Sequence, residues 1–141
     1  MIIKIFEEYL INKNEYYTKI TSGQYWSYIK ENHIKIDYEN VKGYIKSIIN
    51  NEINNKKVKV IYYRNIEYCR GIEGKIEYET LRIDISINNF HNLIDIIALN
   101  DDYYLVRFYR PQYNICNYRC DQIDGLIECL RYILKYLDFE R

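Results

Sequence analysis

Four cysteines and two histidines carry the most distinctive chemistry in this chain. Cys116 and Cys120 stand in a C-x3-C spacing that loosely suits half of a structural zinc site, with Cys69, Cys129, His33 and His91 as the further ligands on offer. The second closely spaced pair that a zinc finger needs is missing, so no metal is expected. Cys120 also precedes an expected helix, where the dipole lowers a thiol pKa, but Asp121 and Asp124 oppose that effect. Cys129 falls near the apolar stripe of the same helix and reads as a buried structural thiol.

Neither histidine lies in a recognisable catalytic motif. The chain has no nucleophile elbow and no phosphate-binding loop, and Gly71-Ile72-Glu73-Gly74 reads as a turn. Carboxylates are plentiful but scattered. No catalytic residue and no cofactor is assigned. An enzyme without a linear motif remains as an alternative.

Charge gives a regional signal. The chain holds 20 basic and 20 acidic residues, which removes the global basicity of many nucleic-acid binders. Within residues 41–70, however, Lys42, Lys46, Lys56, Lys57, Lys59, Arg64 and Arg70 face only Glu52 and Glu67, a local excess of five positive charges. Tyr62, Tyr63 and Tyr68 are interleaved with them, a pattern able to follow a phosphate backbone and stack bases. Two expected helices at about 22–31 and 38–54, followed by a hairpin, have the order of a winged helix, in which Asn40, Lys42, Lys46 and Asn50 face a groove. The plainer reading of the same residues is a solvated helix face and a lysine-guarded strand edge.

The elements that must position these residues follow from periodicity. The last stretch, Cys120 to Phe139, opens on Asp121 as N-cap and repeats Ile123, Leu126, Ile127, Leu130, Ile133, Leu134 and Leu137 at helical spacing. That apolar face must be covered. Residues 1–13 predict a short helix and residues 12–18 a polar break, after which Thr21 and Ser22 cap a helix carrying Tyr25, Trp26, Tyr28 and Ile29. Asp37 caps a stronger helix with Val41, Tyr44, Ile45, Ile48, Ile49 and Ile53 on one side.

From Val58 the period changes to two. Strands are expected over 58–63 and 66–70, then over 75–87 with a bulge or bend near Glu79 and Thr80, where the alternation slips. Residues 88–92 read as a break, 93–99 and 103–109 as a hairpin (a helix over 90–98 being the rival), and 115–119 as an edge strand.

The expected fold is α+β: N-terminal helices, an antiparallel β-meander, and a C-terminal amphipathic helix packed on the sheet. A single domain spans 1–141, with a helical part at 1–56, strands at 57–119 and the closing helix at 120–139. No apolar run reaches the roughly 20 residues of a membrane span, so an intracellular protein is expected, cytoplasmic and without membrane contact.

The 18 tyrosines accompany Ile, Asn and Lys, all with A/T-rich codons, which fits a viral or mobile-element source as well as a low-GC cell. A chain without motifs reads as a small non-enzymatic interaction protein of the inhibitor, adaptor or immunity type, acting on a macromolecule of its host. Tyr62, Tyr63, Tyr68, Tyr103 and Tyr109 are its candidate contacts, because tyrosine supplies interface area at low entropic cost. Nucleic acid bound through residues 38–70 is the alternative partner. A homodimer is compatible with either reading.

Overall fold

The computed structural model describes residues 16–32, 38–53, 58–71, 74–99, 103–109 and 116–139. The helix expected at 1–13, the N-cap Asp37, His33, Lys56 and Lys57 lie outside them. The elements run in the order β1 (Tyr17–Ile20), α1 (Ser22–Asn32), α2 (Tyr38–Glu52), β2 (Val58–Gly71), β3 (Gly74–Ile87), β4 (Phe90–Ala98), β5 (Tyr103–Tyr109), β6 (Cys116–Asp121) and α3 (Gln122–Phe139). The six strands form one antiparallel sheet in the order β1-β6-β5-β4-β3-β2.

The sheet is covered on both faces. On one, α2 and α3 lay Val41, Ile45, Ile48 and Ile49, with Leu126, Cys129, Leu130, Ile133, Leu134 and Leu137, against Leu81, Ile83, Ile85, Ile94, Ile96 and Val106. On the other, α1 sets Tyr25 and Ile29 against Cys69, Tyr78, Ile97, Leu99 and Leu105. Adjacent residues such as Ile96 and Ile97 therefore serve different cores, as side-chain alternation along a strand requires.

This double cover corrects the bulge expected near Glu79 and Thr80. Residues 74–87 pair one-to-one with 71–58 without interruption. The slip in the pattern marks a change of buried face: Tyr78 and Thr80 are buried on the α1 side, Leu81, Ile83 and Ile85 on the α2/α3 side. The winged-helix arrangement is corrected for the same reason. Helices α1 and α2 belong to different cores on opposite faces, so they do not pack on each other as a helix-turn-helix motif does.

Two strands differ from expectation at the far edge. The stretch read as a polar break ends in β1, whose Tyr17 lies opposite Cys120 and Thr18 opposite Arg119, so β6 is an interior strand. At the other break only Asn88 and Asn89 stay unpaired, with φ of 51° and 68°. Both residues in the left-handed region describe a type I′ two-residue hairpin, and asparagine tolerates that region well.

Helix starts follow local chemistry. At α1, Thr21 N–H donates to Gln24 Oε1 at 2.9 Å and Gln24 N–H donates to Thr21 Oγ1 at 3.1 Å, a reciprocal capping box. At α3, Asp121 N–H donates to Tyr16 O at 2.7 Å and Gln122 adopts φ 58°, turning the chain from the sheet onto its face. No helix among the described residues is long and apolar enough to cross a membrane.

Candidate interaction surface

Strand β3 pairs with β4 only from Leu81 onward, whereas its pairing with β2 runs the full length of both strands. Residues 65–71 and 74–80 thus extend as a two-stranded ribbon, with β2 at the sheet edge. Four of the eight exposed large hydrophobic side chains among the described residues lie on β2: Ile61 (56 %), Tyr63 (39 %), Ile66 (53 %) and Tyr68 (59 %). Apolar residues scattered singly over a surface need no explanation, but several along one strand mark a contact region.

Alternation sorts the predicted residues between the two faces. Arg64, Ile66, Tyr68 and Arg70 share the α2/α3 face, opposite Leu81, Glu79, Glu77 and Lys75 of β3. Arg64 Nη2 donates to Glu79 Oε1 at 2.6 Å, so its charge is matched within the chain. Tyr62 is half-buried on the same face beneath Lys46, whose Nζ lies 5.3 Å from the ring centroid. Lys42 is half-buried on α2. Lys59 is exposed and sits, with Ile61 and Tyr63, on the α1 face. The described basic residues therefore divide between two sides of the sheet.

The predicted tyrosines divide likewise. Tyr103 packs under the Arg119 guanidinium, 4.3 Å from its ring centroid. Tyr63 and Tyr109 flank a polar row that crosses the α1 face. In register, Tyr63 lies opposite Arg82, Arg82 opposite Asp95, Asp95 opposite Arg107, and Arg107 opposite Asn117.

Arg82 donates to both carboxylate oxygens of Asp95, at 2.7 and 2.9 Å, and to Glu67 Oε1 at 2.9 Å. Tyr109 OH donates to Asp95 Oδ2 at 3.4 Å. Hydrogen bonding to Asp95 drives the Arg82 pKa still further above its ordinary value, outweighing burial, which acts in the opposite sense. Arg107 lies 5.2, 5.4 and 5.6 Å from the ring centroids of Trp26, Tyr109 and Tyr25, and its Nε is buried without a hydrogen-bond partner. The sequence singles out the flanking Tyr63 and Tyr109 but not Arg82, Asp95 or Arg107 between them.

Among the described residues, those with catalytic or ligating chemistry do not assemble a reactive site. His91 Nδ1 is 3.0 Å from Asp84 Oδ1 and 3.1 Å from Ser86 Oγ. A serine triad needs the carboxylate on one ring nitrogen and the hydroxyl on the other, whereas here both meet Nδ1. Cys116 and Cys120 lie on one extended strand, about 13 Å apart along it, too far for one ion. Among the described residues no three His, Cys, Asp or Glu side chains converge. Cys120 and Cys129 are fully buried, and burial, followed by the hydrogen bond to Cys120, pushes the Cys129 thiol well above its ordinary value. It is a core thiol, as its helix position implies.

Burial has one measurable consequence for the tyrosines. It pushes Tyr17, Tyr62 and Tyr109 up to about 12, with added repulsion from Cys129 at Tyr17 and from Asp95 at Tyr109. Tyr25, Tyr78 and Tyr118 are raised further, again chiefly by burial. Unfolded tyrosines ionise near pH 10, so above that pH the unfolded chain holds fewer protons than the folded one. Stability is fully present below about pH 10 and falls as pH rises toward 12. Tyrosinate absorbance from the buried rings should emerge in one step with loss of near-ultraviolet dichroism; ionisation of all 18 tyrosines near pH 10 with the fold intact contradicts the burial account.

Comparison of the chain with protein-family models, with curated proteins and with solved structures returns no match.

Proposed function

We propose that this chain is a small non-enzymatic interaction protein, of the inhibitor, adaptor or immunity type, that engages a protein partner through β2 and the β2–β3 ribbon. The observation that carries the reading is the row of exposed apolar side chains on an edge strand, Ile66 and Tyr68 above all, rimmed by Arg64, Arg70, Lys75 and Glu77. An apolar centre with a mixed-charge rim is the usual anatomy of a protein interface. Burying the exposed halves of Ile61 and Tyr63 on one face and Ile66 and Tyr68 on the other offers a gross gain on the order of 3–6 kcal/mol, which offsets part of the freedom lost on association. Backbone pairing along the open edge would add specificity to that contact.

Nucleic-acid binding draws on Lys42, Lys46, Lys59, Arg64 and Arg70, and less supports it. Arg64 is paired with Glu79, Lys46 with the Tyr62 ring, and Lys59 faces the other side of the sheet.

A variant combining Ile66→Ser and Tyr68→Ser tests the reading. Both side chains are solvent-facing, so unfolding stability should change by no more than about 0.5 kcal/mol per site. Capture of the protein partner from an extract of the source cells should be lost. Retained capture places the interface elsewhere. In parallel, labelled duplex and single-stranded nucleic acid should show no saturable binding at about 50 mM salt; binding that weakens steeply by about 200 mM favours the alternative.

A further inference from the structure

The two edges of the sheet are unequal. β1 is four residues long, whereas β2 presents fourteen, and among the described residues no strand pairs with its outer side. Such an edge is a row of unpaired backbone donors and acceptors, and short length or charge is how proteins protect it. β1 is short. β2 carries Lys59, Arg64, Glu67 and Arg70 instead, and the order of these charges selects a partner.

We infer that β2 pairs antiparallel with β2 of a second copy about a two-fold axis through Tyr63, extending the sheet across the dimer. This rests on the reading of β2 as an interaction surface and names its first occupant. A two-fold perpendicular to the sheet must set one residue opposite its own copy, so that like faces continue into like faces. Among such registers, and within the described residues of β2, only the one centred on Tyr63 places an acid directly opposite a base, Lys59 against Glu67, which also accepts from Arg82, and symmetry makes that pair twice.

Centring on Arg64 sets arginine against arginine. Centring on Glu67 sets glutamate against glutamate and Arg64 against Arg70. Like charges directly opposite destabilise a pairing. In the favoured register Val60 meets Ile66 on the α2/α3 face and Tyr62 meets Arg64, an apolar pair and a cation–π pair. The exposed Ile66 and Tyr68 then lie against Val60 and Val58 at the start of the other copy's β2, and the charged edge is selective for one register.

The test uses the full chain in sedimentation equilibrium over a concentration series, with site-specific oxidation. The native protein should show a monomer–dimer equilibrium. Lys59→Glu, at an exposed position, puts glutamate opposite Glu67 twice and should weaken dimerisation about ten-fold or more, leaving the melting temperature unchanged at concentrations where the wild type is monomeric. Tyr63→Cys should form a covalent dimer under mild oxidation, since a residue on the axis lies about 4.5–5.5 Å from its copy, within disulfide range.

Ile61→Cys should not, because its copies sit about 13 Å apart along the strands. Wild type supplies the background for the native cysteines. A monomer at every concentration with no Tyr63→Cys cross-link overturns the dimer, and so does a dimer that ignores Lys59→Glu or cross-links through Ile61→Cys. In those cases the broader reading survives if Ile66→Ser with Tyr68→Ser still abolishes partner capture, and falls if it does not.

Discussion

Replacing Asp95 with alanine is expected to destabilise the protein by about 3 kcal/mol, because it leaves the largely buried Arg82 guanidinium without the anion that its fork grips. Asp95 is only 4 % exposed, yet it accepts both hydrogen bonds of the Arg82 fork and lies between Arg82 and Arg107 in the sheet register. Without it, Arg82 keeps Glu67 as its one ion-pair partner, with Tyr63 and the Tyr109 ring beside it, and two guanidiniums flank the space the carboxylate filled. The large cost comes from the arginines that remain, so it measures the penalty of an orphaned charge more than the worth of the pair.

A second substitution separates the two. Removing both partners, as Arg82→Met with Asp95→Leu, should recover most of the loss, since a well-packed apolar pair of similar volume is often neutral. Urea unfolding followed at two wavelengths measures both. A single-mutant cost below about 1 kcal/mol, or a double variant no better than the single, shows that the row is not organised around Asp95.

That row illustrates what the sequence conceals. Arg82 and Asp95 are 13 residues apart, and each lies at a position where a half-buried strand normally shows a solvent-facing polar residue. Their meeting depends on the register of β3 against β4 and on α1 and its aromatics covering the second face, and that cover has no local signature. Double cover also explains the mistaken bulge, because a period-two reading assumes one buried face and interprets a change of face as a change of register.

Strand β1 escaped notice because it is four residues long with only Tyr17 buried. The features that were legible are those written locally. The stripe of the closing helix is buried from Leu126 to Leu137, the Thr21 cap forms, and the 93–99/103–109 hairpin takes its place in the sheet. The exposed apolar edge was legible in part: Tyr63 and Tyr68 drew attention as tyrosines, whereas Ile61 and Ile66 needed the topology that leaves β2 outermost.

Two glycine-to-alanine changes within helices should move stability in opposite directions. Alanine is the better helix former by about 1 kcal/mol, and that gain is expected at Gly43 of α2, where an added Cβ meets nothing within 4 Å. At Gly125 of α3 the same atom would lie 2.3 Å from Tyr16 O and 3.1 Å from Tyr16 C. Both are backbone atoms, so no rotamer change relieves the clash. The contact sits where Asp121 N–H holds Tyr16 O and the chain turns from β6 into α3.

Moving the helix away from β1 would also disturb Tyr17, whose ring packs 6.1 and 6.2 Å from those of Tyr118 and Tyr132. Overpacking against a fixed backbone costs about 1–3 kcal/mol, which exceeds the helical gain. Gly125→Ala should therefore lower the melting temperature and Gly43→Ala raise it. If both rise, the close approach of α3 to β1 does not constrain the fold; if both fall, helix propensity is not the favourable term at Gly43.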